Sequence, residues 1–286
     1  MKKILVLIVF MLFINPCFAN DCNVVCPLEN VKVVDNEKLI NKVTGVNFLT
    51  KQIAEFIIQK ELKSELQSNF TANLDIYNVH TLKQGEFKSL TLKSKKIKYK
   101  ALNMSDFVAK TLCPHNQVIY ENHKLYYPND LAFKFTSKIT NDDINAVLNS
   151  YEFKTELTKN TLSYGNKKLF EVQTPKVVLN GDDVHFTIPV YSFIWSKPYE
   201  LNLKTNIEVK DNKLTIKNAE VLSKSNIISI SMLSELVNKI NPLAYEFDSI
   251  DTKYCKILIT NAKIENNEMN IEGVFIINKN YSEGNE

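Results

Sequence analysis

The chain has 286 residues, 44% of them hydrophobic and 23% charged, the balance of an ordinary folded protein with room for a sizeable core. All 35 basic residues are lysine and the formal charge is only +3. Base-edge readout and phosphate clamping lean on arginine's planar fork, so nucleic acid is excluded as the expected partner.

Lys2 and Lys3 precede an unbroken apolar run over residues 4–14, followed by Asn15-Pro16-Cys17-Phe18-Ala19. This layout predicts a secretory signal peptide over residues 1–19, cleaved after Ala19, and hence a periplasmic or envelope-associated protein. The run is too short for a membrane span, which needs about 20 apolar residues. Pro16 stands where a lipoprotein signal would carry a small residue before Cys17. Cleavage removes Lys2 and Lys3, leaving a formal charge of about +1.

Four cysteines then remain, Cys22, Cys26, Cys113 and Cys255, an even number that reads as two disulfides in an exported chain. A local Cys22–Cys26 clip with a long-range Cys113–Cys255 staple is the expected pairing. The rival ties an N-terminal arm to the body through both Cys22 and Cys26. A zinc site of Cys22, Cys26, Cys113 and His115 has irregular spacing, so no metal and no cofactor are expected.

Residues 20–45 read as a polar, cysteine-containing lead-in, residues 46–279 as a single domain and residues 280–286 as a flexible tail. Over residues 48–66 a helix is predicted with two apolar stripes. Leu49, Ile53, Phe56 and Ile57 fall within about 100° of arc, and Ile58, Leu62 and Leu66 lie roughly opposite. Strands are expected at 69–79 and 87–102. In the second, Leu90 and Leu92 have one parity and Ile97 and Tyr99 the other, so the inward face must switch near residues 94–96. Residues 103–112 resemble a short helix with Ser105 as N-cap and Pro114 beyond it.

A hairpin is expected across residues 121–123, a strand through Phe133 and Phe135, and a helix opened by Thr140 over 141–150. Strands at 168–179, 184–195, 199–210 and 213–223 are divided by turn-formers such as Asn180-Gly181-Asp182 and Asp211-Asn212. A second amphipathic helix is predicted at 230–240, and a last hairpin turns at Asn266-Asn267.

Catalytic motifs are absent: G-x-S-x-G, H-E-x-x-H and the Gly-rich phosphate loops do not occur. His80, His115, His123 and His185 are scattered, and Asp142-Asp143 and Asp182-Asp183 fit a helix cap and a turn. A non-enzymatic protein is the expectation. The densest charge run, Lys93, Lys95, Lys96, Lys98 and Lys100, reads either as a solvated strand or as ammonium groups over an apolar cleft. Phe186, Tyr191, Phe193, Trp195 and Tyr199 make the strand near 184–195 apolar on both faces.

The stretches KQIAEFIIQKELKSEL, GEFKSLTLKSKKIKYKALNMSDF, KITNDDINAVL and INPLAYEFDSIDTKYCKILITNAKIENNEMNIEGVF follow one another in an order that resembles the LmeA-like family of exported phospholipid-binding proteins. That family is itself similar to the tubular lipid-binding (TULIP) architecture. The resemblance implies an α+β fold, an elongated and strongly curved antiparallel sheet wrapped around a long amphipathic helix with short additional helices. It also implies a non-enzymatic protein holding phospholipid acyl chains in an apolar cavity and touching membrane surfaces transiently. Periodicity then nominates Ile53, Phe56, Ile57, Leu92, Phe107, Phe193 and Trp195 as cavity lining, with Lys96 and Lys98 at its mouth. The competing expectation is a structural or protein-interaction component of the envelope. A continuous cavity would favour the first reading, and a dry packed core with an exposed apolar patch the second.

Overall fold

The computed structural model describes residues 46–66, 68–99, 102–121, 124–159, 162–164, 167–192, 199–222 and 255–279. The expected signal segment, the lead-in with Cys22 and Cys26, the helix at 230–240 and the tail lie outside these residues.

The helix α1 (Val46–Leu66) leads into β1 (Thr71–Asp75), the short helix α2 (Val79–Lys83), β2 (Glu86–Phe87) and β3 (Ser89–Tyr99). Strands β4 (Leu102–Thr111), β5 (Asn116–Gln117), β6 (Ile119–Glu121), β7 (Lys124–Tyr126) and β8 (Leu131–Thr140) follow. Two helices, α3 (Asn141–Leu148) and α4 (Tyr151–Lys159), precede β9 (Leu162–Tyr164), β10 (Lys167–Val172), β11 (Lys176–Asn180), β12 (Asp183–Ser192), β13 (Tyr199–Lys210) and β14 (Lys213–Val221). The last hairpin is β15 (Cys255–Glu265) with β16 (Glu268–Ile277).

The described chain is mostly antiparallel strand, and this corrects the expected fold: no sheet is wrapped around a long amphipathic helix. One sheet has the order β1-β3-β4-β8-β16-β15; the other runs β14-β13-β12, with β10 and β11 sharing the far edge of β12 and β9 on β10. The reason lies in α1 itself. Its apolar residues are spread around its circumference, and only one side, through Ala54 and Ile58, packs on the core, beside β1 and β3 at one edge of the first sheet. The sheets bury their apolar faces in one continuous core with α3, not on α1.

Alternation positions the rest. Leu131, Phe133, Phe135, Ser137 and Ile139 of β8 are buried, as are Val184, Phe186, Ile188 and Val190 of β12, each set on one side of the pleat. Two hairpins turn on asparagine and aspartate with left-handed backbone at both corner residues: φ is 52° and 60° at Asp211-Asn212, and 55° and 63° at Asn266-Asn267. Those conformations match the right-handed twist of the flanking strands.

The first of the two helices after β8 starts where the sequence places it. Thr140 accepts from the Asp143 amide while Asp143 accepts from the Thr140 amide, a complete capping box. It then packs on β4 and β8 of one sheet and on β11 of the other. Asn145 donates to the Val177 carbonyl at 2.7 Å and accepts from the Val177 amide at 3.1 Å. Asn141 accepts from the Leu179 amide at 2.6 Å. Side-chain amides thus occupy backbone groups of β11 that none of the described strands pairs. A further tie joins the sheets where the Ile259 amide donates to the Asn212 carbonyl at 2.9 Å.

Three local expectations are overturned. Residues 103–112 form β4, not a helix, because β3 pairs with them over most of their length. The strand expected at 69–79 stops at Asp75, and Asn78 instead caps the short helix α2 in a capping box with Thr81. The strand expected at 168–179 is divided into β10 and β11. The parity switch in β3 does occur: Leu90 and Ser94 are buried on one parity and Ile97 on the other. Its extra residue lies on the neighbour, where Asp106 has φ 48° and the β4–β8 register shifts between Ser105 and Val108.

The expected Cys113–Cys255 staple is also corrected. Cys255 is a buried thiol that joins no disulfide, whereas Cys113 is disulfide-bonded, so the two are not joined to each other. The sheet order explains it: going from β4 to β15 crosses three inter-strand steps of about 4.8 Å, far beyond the ~7 Å Cα separation a disulfide spans.

Tyr127, almost wholly buried, has its phenol pushed well above the usual range by desolvation. A raised value makes a contribution that is whole below pH ~10 and shrinks above it, because the unfolded chain ionises first. Thermal melts at pH 8 and pH 11 should therefore show a smaller alkaline loss for Tyr127→Phe than for the parent. Equal losses would show that this phenol does not shape the alkaline limb.

Candidate apolar and basic surface

The helix α1 carries the feature with the clearest functional bearing. Its packed side holds Ala54 and Ile58 against the core, and Glu55 accepts from the Leu74 amide at 2.7 Å and pairs with Lys51 at 3.6 Å. These contacts pin the helix to β1. Its other side carries Phe48, Leu49, Ile53, Phe56 and Ile57, all well exposed, with Phe56 65% and Ile53 59% accessible. Two stripes were legible in the sequence; the structure spends one on the core and leaves the other in solvent. Soluble proteins scatter exposed apolar side chains, whereas five along one helix face form a patch of the kind that marks contact surfaces.

Lysines stand near it. Lys60 and Lys63 are exposed on the C-terminal half of the same helix. The chain leaving α1 reaches β3 at once: Ser94 Oγ donates to the Asn69 carbonyl at 2.9 Å, and the Lys98 amide donates to Ser68 Oγ at 3.3 Å. Lys93, Lys95, Lys96 and Lys98 are all exposed on that strand.

The nominated cavity residues are not gathered around one enclosed space. Ile53, Phe56 and Ile57 face outward. Leu92 and Phe107 are half-buried on the core side, where Phe107 stacks on Phe135 at 6.1 Å and meets Phe70 edge-on at 6.5 Å. Lys96 and Lys98 are exposed, and Phe193 and Trp195 lie outside the described residues. Of the aromatic run on β12, Phe186 is buried and Tyr191 is 39% exposed on the opposite face.

Among the described residues no helix is long and apolar enough to cross a membrane, and no group of three or more His, Cys, Asp or Glu is placed to hold a metal. His115 is buried and its Nδ1 lies 2.5 Å from the Tyr77 hydroxyl, a bracing role for the turn that carries Cys113. Asp183 pairs with Lys204 at 2.9 Å and accepts from Asn206 at 2.8 Å, and the Lys204 ammonium holds its carboxyl below the usual range. Its place is the outer face of the second sheet. The paired acids therefore cap a helix and tie a sheet face, and they do not converge on a cleft.

Comparison with protein-family models, with curated proteins and with solved structures gives no match.

Proposed function

We propose that the protein is an exported, non-enzymatic lipid-binding protein of the cell envelope that meets acyl chains through the outward face of α1. One observation carries the reading: a helix fixed to the core by one side presents Leu49, Ile53, Phe56 and Ile57 to solvent on the other. Burying such side chains contributes roughly 1.5–3 kcal/mol each, an upper bound when the change starts from half exposure. The complement comes from the exposed lysines of β3, since cationic side chains beside an aromatic and aliphatic face suit an anionic membrane surface, while α1 itself balances three lysines with three glutamates. This reading puts the lipid contact on a surface, whereas the sequence reading expected an internal cavity.

The second reading, a protein-interaction component of the envelope, draws on the same exposed patch above a buried core. Vesicle co-sedimentation separates the two. The parent protein should pellet with phosphatidylglycerol-containing vesicles, less so as salt rises, because surface charge is screened over about 8–10 Å. Phe56→Asp should lose binding while its melting temperature stays near the parent's, since exposed substitutions shift stability by only about 0.5 kcal/mol. A parent that stays in the supernatant at every vesicle composition would remove the lipid reading and leave the protein-interaction one.

A further inference from the structure

The outer face of the first sheet carries a groove that does not involve α1. It has a volume of about 660 Å³, with a floor built by Asp75 of β1, Ser89 of β3, Val108 and Lys110 of β4, and Lys134 and Thr136 of β8. Its wall is the turn after β4, with Leu112 and Pro114 exposed, and Lys88 stands at its rim.

The wall is braced from behind. Asn116, buried, donates to the Cys113 carbonyl at 2.9 Å and to the Lys88 carbonyl at 2.8 Å. The Tyr77 hydroxyl reaches the Pro114 carbonyl at 3.1 Å, and the Lys88 ammonium lies 5.3 Å from the centre of the Tyr77 ring. The groove is therefore preformed on a rigid frame, and its size falls within the usual range for small-molecule sites.

Its charge arrangement is unfavourable when empty. Lys110 and Lys134 are direct cross-strand partners in the β4–β8 ladder, where like charges opposite one another destabilise. Glu272 reaches Lys134 at 3.6 Å and Asp75 reaches Lys88 at 3.9 Å. No ion pair engages Lys110 among the described residues. An anion seated between Lys110 and Lys134 would relieve the repulsion, and the hydroxyls of Ser89 and Thr136 would complete its hydrogen bonds. The apolar remainder, Val108, Leu112 and Pro114, suits a carbon chain or ring attached to that anion.

We propose that this groove is a binding site for a phosphate-monoester group, with Lys110 and Lys134 as its two cationic contacts and Leu112 and Pro114 against the esterified apolar portion. The site rests on the strand register and the groove alone, so it stands or falls separately from the helix surface.

The test is calorimetric titration of the full chain with octyl phosphate and, separately, inorganic phosphate, on the parent, Lys110→Glu and Lys217→Gln. Lys217 lies on the second sheet and serves as the control. The parent should bind saturably, Lys217→Gln should match it, and Lys110→Glu should bind at least about tenfold more weakly, the scale of one lost charge-assisted contact. Without ligand, Lys110→Glu should melt no lower than the parent, because it exchanges a repulsion for a pairing with Lys134. Equal binding of both ligands would assign the site to the free oxyanion, and binding of octyl phosphate alone to the ester with its chain. Absence of binding by the parent to either ligand, or undiminished binding by Lys110→Glu, would overturn the proposal.

Discussion

Gly273→Ala should lower the melting temperature by about 5–10 °C, corresponding to about 2–3 kcal/mol for a domain of this size. Gly273 of β16 pairs with Phe135 of β8 on one side and Ile259 of β15 on the other. A Cβ built there would stand 2.6 Å from the Leu258 carbonyl oxygen and 2.7 Å from two ring atoms of Phe135. The aromatic ring thus lies over the glycine and takes the room a side chain would fill. Real Cβ contacts do not come so close, so strand or ring must move. Phe135 is itself buried and stacked on Phe107, which makes the ring costly to displace.

A second substitution tells the two collisions apart. Phe135→Leu alone should destabilise by lost packing; combined with Gly273→Ala it should cost less than the sum of the singles, because the ring collision is gone. Residual loss beyond Phe135→Leu would measure the backbone contact with Leu258. Strict additivity in such a double-mutant cycle would contradict a shared space between the two positions.

Asn145→Leu should cost about 2 kcal/mol and open the edge of β11. The leucine keeps the branched four-atom skeleton, with bulkier methyl ends, but strips the Val177 amide and carbonyl of their side-chain partner on α3. Each backbone group left without a partner costs about 1–3 kcal/mol when buried, and less where water can reach it, as at this half-buried edge. The substitution also removes the Asn145 donor from the Asn141 carbonyl, at 2.7 Å, a bond inside α3 itself.

Hydrogen exchange gives the readout that a simple packing change would not. The Val177 amide should exchange faster in Asn145→Leu, while Leu179, whose amide bonds to Asn141, should be less affected. Asn145→Asp is the informative intermediate: a carboxylate still accepts from the Val177 amide but faces the Val177 carbonyl with no donor. It should recover part of the Val177 protection and little of the stability. Unchanged exchange at Val177 in both variants would show that α3 does not guard this edge. An uncovered edge strand is also a template for pairing between chains, so Asn145→Leu should aggregate more readily on heating.

Much of the fold was legible wherever a few adjacent residues carry the whole signal. The corners at Asp211-Asn212 and Asn266-Asn267, the capping box at Thr140 and Asp143, and the strand β13 at residues 199–210 were all written locally. So was the pair of apolar stripes on α1. In each case the energy comes from backbone preference, a cap or an alternation within a few positions of the chain.

The sequence by itself therefore determined those turns, the cap at Thr140 but not the one at Asn78, most strands and an arginine-free, nearly neutral composition. Tertiary structure alone decided the rest, because those outcomes depend on neighbours distant in the chain. Residues 103–112 carry an acceptable helix pattern, but β3 alongside offers a ladder, and pairing outweighs a weak local preference. The stripe of α1 that packs is chosen by where β1 and β3 lie, which no residue of α1 encodes. Two strands, β8 and β16, lie between β4, which leads to Cys113, and Cys255 on β15, a spacing set by sheet order and not by sequence distance. Lys110 and Lys134 are 24 positions apart, and only the β4–β8 register turns them into opposed charges at one groove.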